Sequence, residues 1–113
     1  MNEKLTQLVL SLKQLSNDQE VRIWHRIAKD LGKSTRQRRE VNVSRINSNT
    51  KDGDTIIVPG KVLSLGELDH KVNVAAWSFS QAAMEKINSK GKTMKIEDLM
   101  KENPKGSKVR IIG

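Results

Sequence analysis

The chain has 113 residues, a formal net charge of +8 and no cysteine, which suits one domain and excludes disulfides and thiolate metal sites. Hydrophobic residues make up 35% of the chain and charged residues 30%, so we expect a small core and a highly charged surface. A basic excess this large in a small chain predicts a polyanionic partner, with nucleic acid the first candidate and an anionic membrane surface the second.

Two helices are predicted at the start of the chain. In residues 3–16, leucine and valine recur at helical spacing. Asn17 followed by Glu20 has the pattern of a capping box, and predicts a second helix that reaches Leu31 and ends with Gly32 in a left-handed conformation. The short connection between the helices predicts an antiparallel pair.

The outward face of the second helix is basic. Arg22, Arg26, Lys29 and Lys33 recur at spacings of four, three and four residues, and form a stripe opposite the apolar face. The stripe continues into residues 33–39, a loop with three arginines and no apolar residue. We expect this loop to be mobile in the free protein, because it has no apolar residue to pack.

The residues after the loop fit two conformations. Val41, Val43 and Ile46 are compatible with a strand or with a short helix. A helix is favoured, because it places Asn42 and Arg45 on one face.

The second half of the chain alternates strand and helix patterns. The β-branched residues 55–58 predict a strand that ends at a Pro59-Gly60 turn, and residues 62–65 and 72–77 predict two further strands. Later patterns predict a helix from residue 78 to Gly91, a short helix before Pro104, and a closing strand over residues 109–112.

This order predicts an α/β fold in a single domain over residues 1–113. Within it we expect an N-terminal helical pair over residues 1–32, a basic loop and short helix over residues 33–46, and an α/β core over residues 54–113.

The positive charge is concentrated in one segment. Residues 22–46 contain eight Lys and Arg against Asp30 and Glu40, a net charge of +6, whereas residues 1–21 have a net charge of −1 and residues 47–113 one of +3. Solubility alone is served by mixed signs. A segment of predominantly one sign therefore predicts phosphate binding, which the release of counterions favours.

A membrane partner is disfavoured. No apolar run approaches the roughly 20 residues that span a bilayer, and the opening residues 1–4 lack the basic-then-apolar pattern of a signal peptide. We expect a cytoplasmic protein that makes no membrane contact.

Motifs for catalysis or metal binding are weak. His25 and His70 lie far apart and neither has metal-ligand spacing. Asp52-Gly53-Asp54 resembles the opening of a calcium loop without its later ligands, and predicts a plain turn instead. Gly60-Lys61 lacks the other residues of a phosphate-binding loop. We therefore expect neither an enzyme nor a cofactor nor a small-molecule substrate.

The aromatic residues indicate how a nucleic acid is bound. The chain has no tyrosine, and Trp24, Trp77 and Phe79 are its only aromatic residues. Modules that stack single-stranded bases need several exposed rings. Recognition is therefore expected to rest on phosphates and RNA shape.

A family resemblance covers essentially the whole chain. Residues 29–46, KDLGKSTRQRREVNVSRI, resemble the signature of a family of archaeal and eukaryotic large-subunit ribosomal proteins, the eighteen-e family, which is related to the bacterial large-subunit protein numbered fifteen. The stretches VPGKVL at 58–63, VAA at 74–76 with Phe79-Ser80, and ENPKGSKVR at 102–110 are also similar to that family. The length of the chain is similar to that of archaeal members.

The resemblance implies an α/β fold in which an N-terminal helical arm precedes a compact, irregular superhelical domain of strand–strand–helix turns. It implies binding to large-subunit ribosomal RNA beside neighbouring ribosomal proteins, with no catalytic activity and no cofactor. Carried over by position, Arg36, Arg38, Arg39, Asn42 and Arg45 are expected to contact RNA, with Lys61 as a further candidate. With the helical stripe, the predicted RNA contacts are Arg22, Arg26, Lys29, Lys33, Arg36, Arg38, Arg39, Asn42, Arg45 and Lys61.

A DNA-binding helix-turn-helix protein built on residues 3–31 is the alternative. It is disfavoured because Asp18, Gln19 and Glu20 are predicted to stand early in the second helix, where acidic residues repel phosphate.

Overall fold

A computed structural model describes residues 3–32 and 39–112, with the side chain of Arg39 excepted. The elements in chain order are α1 (Glu3–Gln19), α2 (Arg22–Leu31), β1 (Arg39–Asn42), α3 (Val43–Asn49), β2 (Asp54–Leu63), β3 (Val72–Phe79), α4 (Gln81–Asn88), β4 (Lys92–Lys95), α5 (Ile96–Glu102) and β5 (Val109–Ile111).

The five described strands form one sheet in which every pairing is parallel. β2 is central: β3 pairs along one of its edges and β4 follows beyond β3. β5 and β1 share the other edge, β5 beside Thr55–Ile57 and β1 beside Gly60–Leu63. Parallel neighbours require crossover connections, which place helices against the faces of the sheet. The predicted α/β class is confirmed.

Side chains alternate along the central strands, and so divide the core into two layers. Ile56 and Val58 point to the face covered by α3 and α4. Ile57 and Ala75 point to the opposite face, which α1, α2 and α5 cover. The sheet therefore separates the N-terminal helical pair from α3.

The predicted helix pair is present, but its connection differs from the prediction. α2 runs back along α1, so that Val9 and Lys13 lie beside the end of α2. α1 continues to Gln19, and Glu20 takes a left-handed φ of 54° at the reversal. The backbone N–H of Val21 then donates to the Ser16 carbonyl at 3.1 Å, and α2 begins at the next residue.

The capping-box prediction at Asn17 is therefore wrong. α1 runs through Asn17 without a break, and within it the side-chain amide of Gln14 donates to the Asp18 carboxylate at 2.9 Å. Asp18 and Gln19 belong to α1, and α2 begins at Arg22. Acidic residues therefore do not stand at the start of the second helix. The reason given above against a helix-turn-helix protein does not hold. Gly32 has a right-handed φ of −73°, and the left-handed prediction is wrong as well.

The predicted turn at Pro59-Gly60 is a bulge within one long strand. β2 runs from Asp54 to Leu63, and its pairing with β3 shifts between Val58 and Lys61, where β2 contains one extra residue. A bulge leaves a residue outside the ladder, and this tolerates a proline that has no N–H to donate. The two strands predicted over residues 55–65 are therefore one.

Both conformations left open for residues 41–46 occur in succession. Val41 and Asn42 end β1, and Val43 begins α3. The favoured interpretation, a helix throughout, is wrong for the first two of these residues, because they pair with Val62 and Leu63 of β2.

The later elements follow the prediction more closely. β3, α5 and β5 are confirmed, and α4 starts after Ser80, whose side chain accepts a hydrogen bond from the Ala83 N–H at 3.2 Å. α4 ends at Asn88 rather than Gly91. β4 was not predicted, since Lys-Thr-Met-Lys is a short polar sequence without a strand pattern.

Candidate nucleic-acid interface

The orientation of α2 is set by its buried face. Trp24, Ile27 and Leu31 are fully buried against the sheet. The predicted contacts Arg22, Arg26 and Lys29 are exposed on the opposite side. We call these three residues the helical basic face. Because the apolar side is locked into the core, the three cations cannot rotate away from solvent.

α1 adds a cation that the sequence did not indicate. Lys13 lines a shallow groove together with His25 and Lys29 of α2. Its segment of the chain has a negative net charge, so only the antiparallel packing of the two helices reveals that Lys13 lies beside the basic stripe.

Three of the predicted contacts, Lys33, Arg36 and Arg38, lie outside the described residues. The prediction of a mobile loop falls on the same segment and stays a prediction. Arg39 opens β1 with its backbone beside Gly60 of β2.

Lys61 is exposed at the bulged end of β2. Its partner in the parallel ladder is Glu40 of β1, and neighbouring strands are separated by about 4.8 Å. The carboxylate of an adjacent strand lowers the positive potential around Lys61, so this lysine is a weaker candidate for phosphate binding than the residues of the helical basic face.

Asn42 and Arg45 occupy different environments. The side-chain oxygen of Asn42 accepts a hydrogen bond from the Leu65 N–H at 3.3 Å, and so helps to hold the loop after β2. Arg45 is exposed on α3. Because α3 and α2 cover opposite faces of the sheet, the structure does not bring Arg45 onto the surface of the helical basic face.

A hydrogen-bonded row of Thr50, His70 and Asp69 has the outline of a catalytic triad. The Thr50 hydroxyl oxygen lies 2.7 Å from His70 Nε2, and His70 Nδ1 lies 2.7 Å from the Asp69 carboxylate. However, the Thr50 hydroxyl also donates to the Ile46 carbonyl at 2.7 Å, and this acceptor competes with His70 Nε2 for the one proton that a catalytic base would have to remove.

The row is therefore better explained as a fastening between α3 and the loop before β3. The hydrogen bond with His70, and then that with Asn47, hold the pKa of Asp69 below its ordinary value. In addition, the Asp69 N–H donates to the side-chain oxygen of Asn47 at 3.0 Å.

The Asp52-Gly53-Asp54 segment is the plain turn that the sequence predicted. Both carboxylates accept backbone N–H groups, Asp52 from Lys71 at 3.0 Å and Asp54 from Lys51 at 2.8 Å. Over residues 3–32 and 39–112 there is no group of three or more side chains placed to hold a metal ion. In the same part of the chain no helix has the length and apolar character needed to cross a membrane.

A broad groove between α1 and α5 has a different electrostatic character. Leu8, Leu15, Trp77 and Met100 supply apolar lining. The charged residues that line it are three lysines and three acidic residues: Lys4, Lys95, Lys101, Asp18, Glu97 and Asp98. Such a balance does not favour a phosphate backbone, whereas the surface around α2 does.

Comparison with known proteins gives consistent matches. Residues 21–95 match a family of ribosomal proteins described as comprising 50S-L15, 50S-L18e and a 60S counterpart. The chain is 51% identical over 112 residues to the "Large ribosomal subunit protein eL18" of Methanoregula boonei, with 98% of this chain and 93% of the relative covered. The proteins of that name from Methanospirillum hungatei and Methanococcus maripaludis are 50% and 46% identical, with the same coverage.

Proposed function

From the premise that this chain belongs to the family of large ribosomal subunit protein eL18, we propose that it is a structural constituent of the large ribosomal subunit. The family is one of ribosomal proteins and not of enzymes. In this proposal the chain works in the cytoplasm on the ribosome, beside other ribosomal proteins, and needs no cofactor, small-molecule substrate or membrane.

We further propose that the chain binds large-subunit ribosomal RNA through residues 22–46, mainly by phosphate and shape contacts. The observation that carries this proposal is the helical basic face. Three exposed cations project from one side of α2 while Trp24 and Leu31 bury its other side. The backbone that carries these side chains is already ordered by the core, so binding needs no ordering of the backbone there, and the three charges are presented together to a phosphate backbone.

The proposed contacts begin with this face and continue along the chain. They are Arg22, Arg26, Lys29, Lys33, Arg36, Arg38, Arg39, Asn42, Arg45 and Lys61. The basic residues of segment 33–39 follow α2 directly in the sequence, and Arg45 would contact RNA from α3, on the opposite face of the sheet. Aromatic stacking has a small part, since Trp24 is fully buried and Trp77 packs against the core.

The salt dependence of RNA binding tests this proposal. Replacing Arg36, Arg38 and Arg39 by Ala is expected to weaken binding to protein-free large-subunit ribosomal RNA. The slope of log affinity against log salt should flatten by about 0.9 for each duplex phosphate that is no longer neutralised. A variant in which Lys71 and Lys90, two exposed lysines outside the proposed interface, are replaced by Ala is the control. An unchanged slope in the triple variant would contradict the proposed role of the loop.

A competition experiment addresses the alternative. Structured ribosomal RNA is expected to displace a labelled RNA probe at lower concentration than duplex DNA does. A preference for duplex DNA would favour a helix-turn-helix protein instead.

A further inference from the structure

We propose that the C-terminal turn, residues 103–108, is a second RNA-binding element that acts together with the helical basic face. Its two lysines, Lys105 and Lys108, would bind phosphates of the same RNA that α2 contacts. This inference rests on the proposed function and extends it to a part of the chain far from residues 22–46.

The C-terminal turn is fastened directly to α2. Trp24 is fully buried, and its indole N–H donates to the Pro104 carbonyl at 2.6 Å. Gly106 packs so closely on α2 that a Cβ atom built there would lie 2.7 Å from Ile23 Cγ2. These two contacts fix the turn beside the helix that supplies the three cations.

The turn is also held within itself. Asn103 donates from Nδ2 to the Ser107 carbonyl at 2.8 Å, and its side-chain oxygen accepts the Ser107 N–H at 3.2 Å. The Gly106 N–H donates to the Asn103 carbonyl at 2.9 Å. These hydrogen bonds order the backbone of the turn before any ligand binds, which lowers the entropic cost of binding.

The exposed charge of the turn has one sign. Residues 103–108 contain Lys105 and Lys108 and no acidic residue, and Arg110 follows in β5. Arg110 is engaged elsewhere, since its guanidinium donates to the Asn49 carbonyl and lies 3.4 Å from the Asp54 carboxylate. Lys105 and Lys108 are exposed, and they are therefore the two cations that the turn offers to a ligand.

Packing thus gathers cations from three separate segments around α2. Lys13 lies along one flank of the helix and the C-terminal turn lies along the other, where Ile23 is contacted. Asp30 lies on the same helix but is half-buried. A surface of this composition suits the closely spaced phosphates of a structured RNA, whereas the groove between α1 and α5 has balanced charge.

The experiment compares three double variants of the full chain, each of which removes two positive charges. K105Q/K108Q removes the lysines of the turn, R22Q/R26Q removes two cations of the helical basic face, and K71Q/K90Q is the matched control. Binding to protein-free large-subunit ribosomal RNA is measured between about 50 and 200 mM salt, the range over which phosphate contacts strongly affect affinity. Circular dichroism and thermal unfolding verify that every variant is folded.

K105Q/K108Q is expected to flatten the salt slope by about 1 to 2 relative to the control, as the removal of two phosphate-binding cations would. If it matches the control while R22Q/R26Q binds more weakly, this inference is overturned and the proposed function stands. If R22Q/R26Q also matches the control, the proposed function of α2 fails too. If only K105Q/K108Q reduces the affinity, the inference that the turn and the helical basic face act together is overturned, because it requires both elements to bind one RNA.

Discussion

The indole N–H of Trp24 donates to the carbonyl oxygen of Pro104, a residue 80 positions away, at 2.6 Å. The ring is fully buried. One side chain thus fills the core beneath α2 and fastens the C-terminal turn, so stability and the shape of the basic surface depend on the same contact.

Trp24→Phe is expected to lower the free energy of unfolding by about 2 kcal/mol. Phe removes the hydrogen bond to the half-buried Pro104 carbonyl, which is worth roughly 0.5–1.5 kcal/mol, and it leaves a cavity where the larger indole ring packed. Urea unfolding of both proteins measures the difference. Trp77→Phe is the control, since Trp77 is only partly buried; an equal effect in both variants would argue against a special role for the Pro104 contact.

Gly106→Ala is expected to destabilise the chain by more than Gly53→Ala does. Both glycines have positive φ, 63° and 88°, and a left-handed conformation costs a non-glycine residue roughly 1–2 kcal/mol. Only at position 106 would the added Cβ also meet Ile23, whereas nothing lies within 4 Å at position 53. Thermal unfolding measures both costs. Equal melting temperatures in the two variants would contradict a close contact between Gly106 and Ile23.

Lys86→Met is expected to loosen the loop that follows β2. The Lys86 ammonium donates to the carbonyls of Ser64 and Gly66 at 2.8 and 2.7 Å and lies 3.3 Å from Glu67. Met keeps the apolar stem, but the removal of charged hydrogen bonds should cost about 2 kcal/mol.

Glu67→Gln is the matched control for Lys86, because the Glu67 side chain is 85% exposed and exposed ion pairs contribute roughly 0–1 kcal/mol. Hydrogen exchange of residues 64–67 should quicken in the Lys86 variant alone. Equal exchange rates in both variants would contradict the role of Lys86 in holding this loop.

Substitution of Asn42 is expected to lower the stability of the fold, whereas substitution of Arg45 is not. Asn42→Ala removes the acceptor for the Leu65 N–H and should lower the free energy of unfolding by about 1 kcal/mol. Arg45→Ala should leave it within about 0.5 kcal/mol, as exposed substitutions do, and reduce RNA affinity only. A large drop in stability in Arg45→Ala would contradict this separation.

Asp69 is expected to make stability depend on pH in the acid range. Hydrogen bonds with His70 and Asn47 hold the pKa of Asp69 low in the folded chain. A lowered folded pKa contributes stability that is present above the unfolded pKa, about 3.9 for Asp, and is lost as pH falls through the folded pKa. The parent should exceed Asp69→Asn in unfolding free energy between about pH 5 and 7, and the difference should shrink as the pH falls below the folded pKa. A difference that is constant with pH would refute this linkage.

The sequence by itself determined those features that depend on neighbouring residues. Helical spacing of leucine predicted α1, and the pattern after residue 78 predicted α4, because side-chain periodicity acts over one or two turns. The stripe of Arg22, Arg26 and Lys29 was equally visible, since a helix places residues four and three positions apart on one face.

Only the tertiary structure decided features whose partners are distant in the chain. Pro59 suggests a turn when read locally, yet strands on both edges of β2 hold it in a bulge. The sequence predicted a break between the first two helices at Asn17, but the structure has it at Glu20. The packing of the two helices against each other outweighs the preference for a single cap. The same reason applies to the candidate interface: Lys13 and Lys105 lie 92 positions apart in the sequence, and only the packing of both segments against α2 brings them to its two flanks.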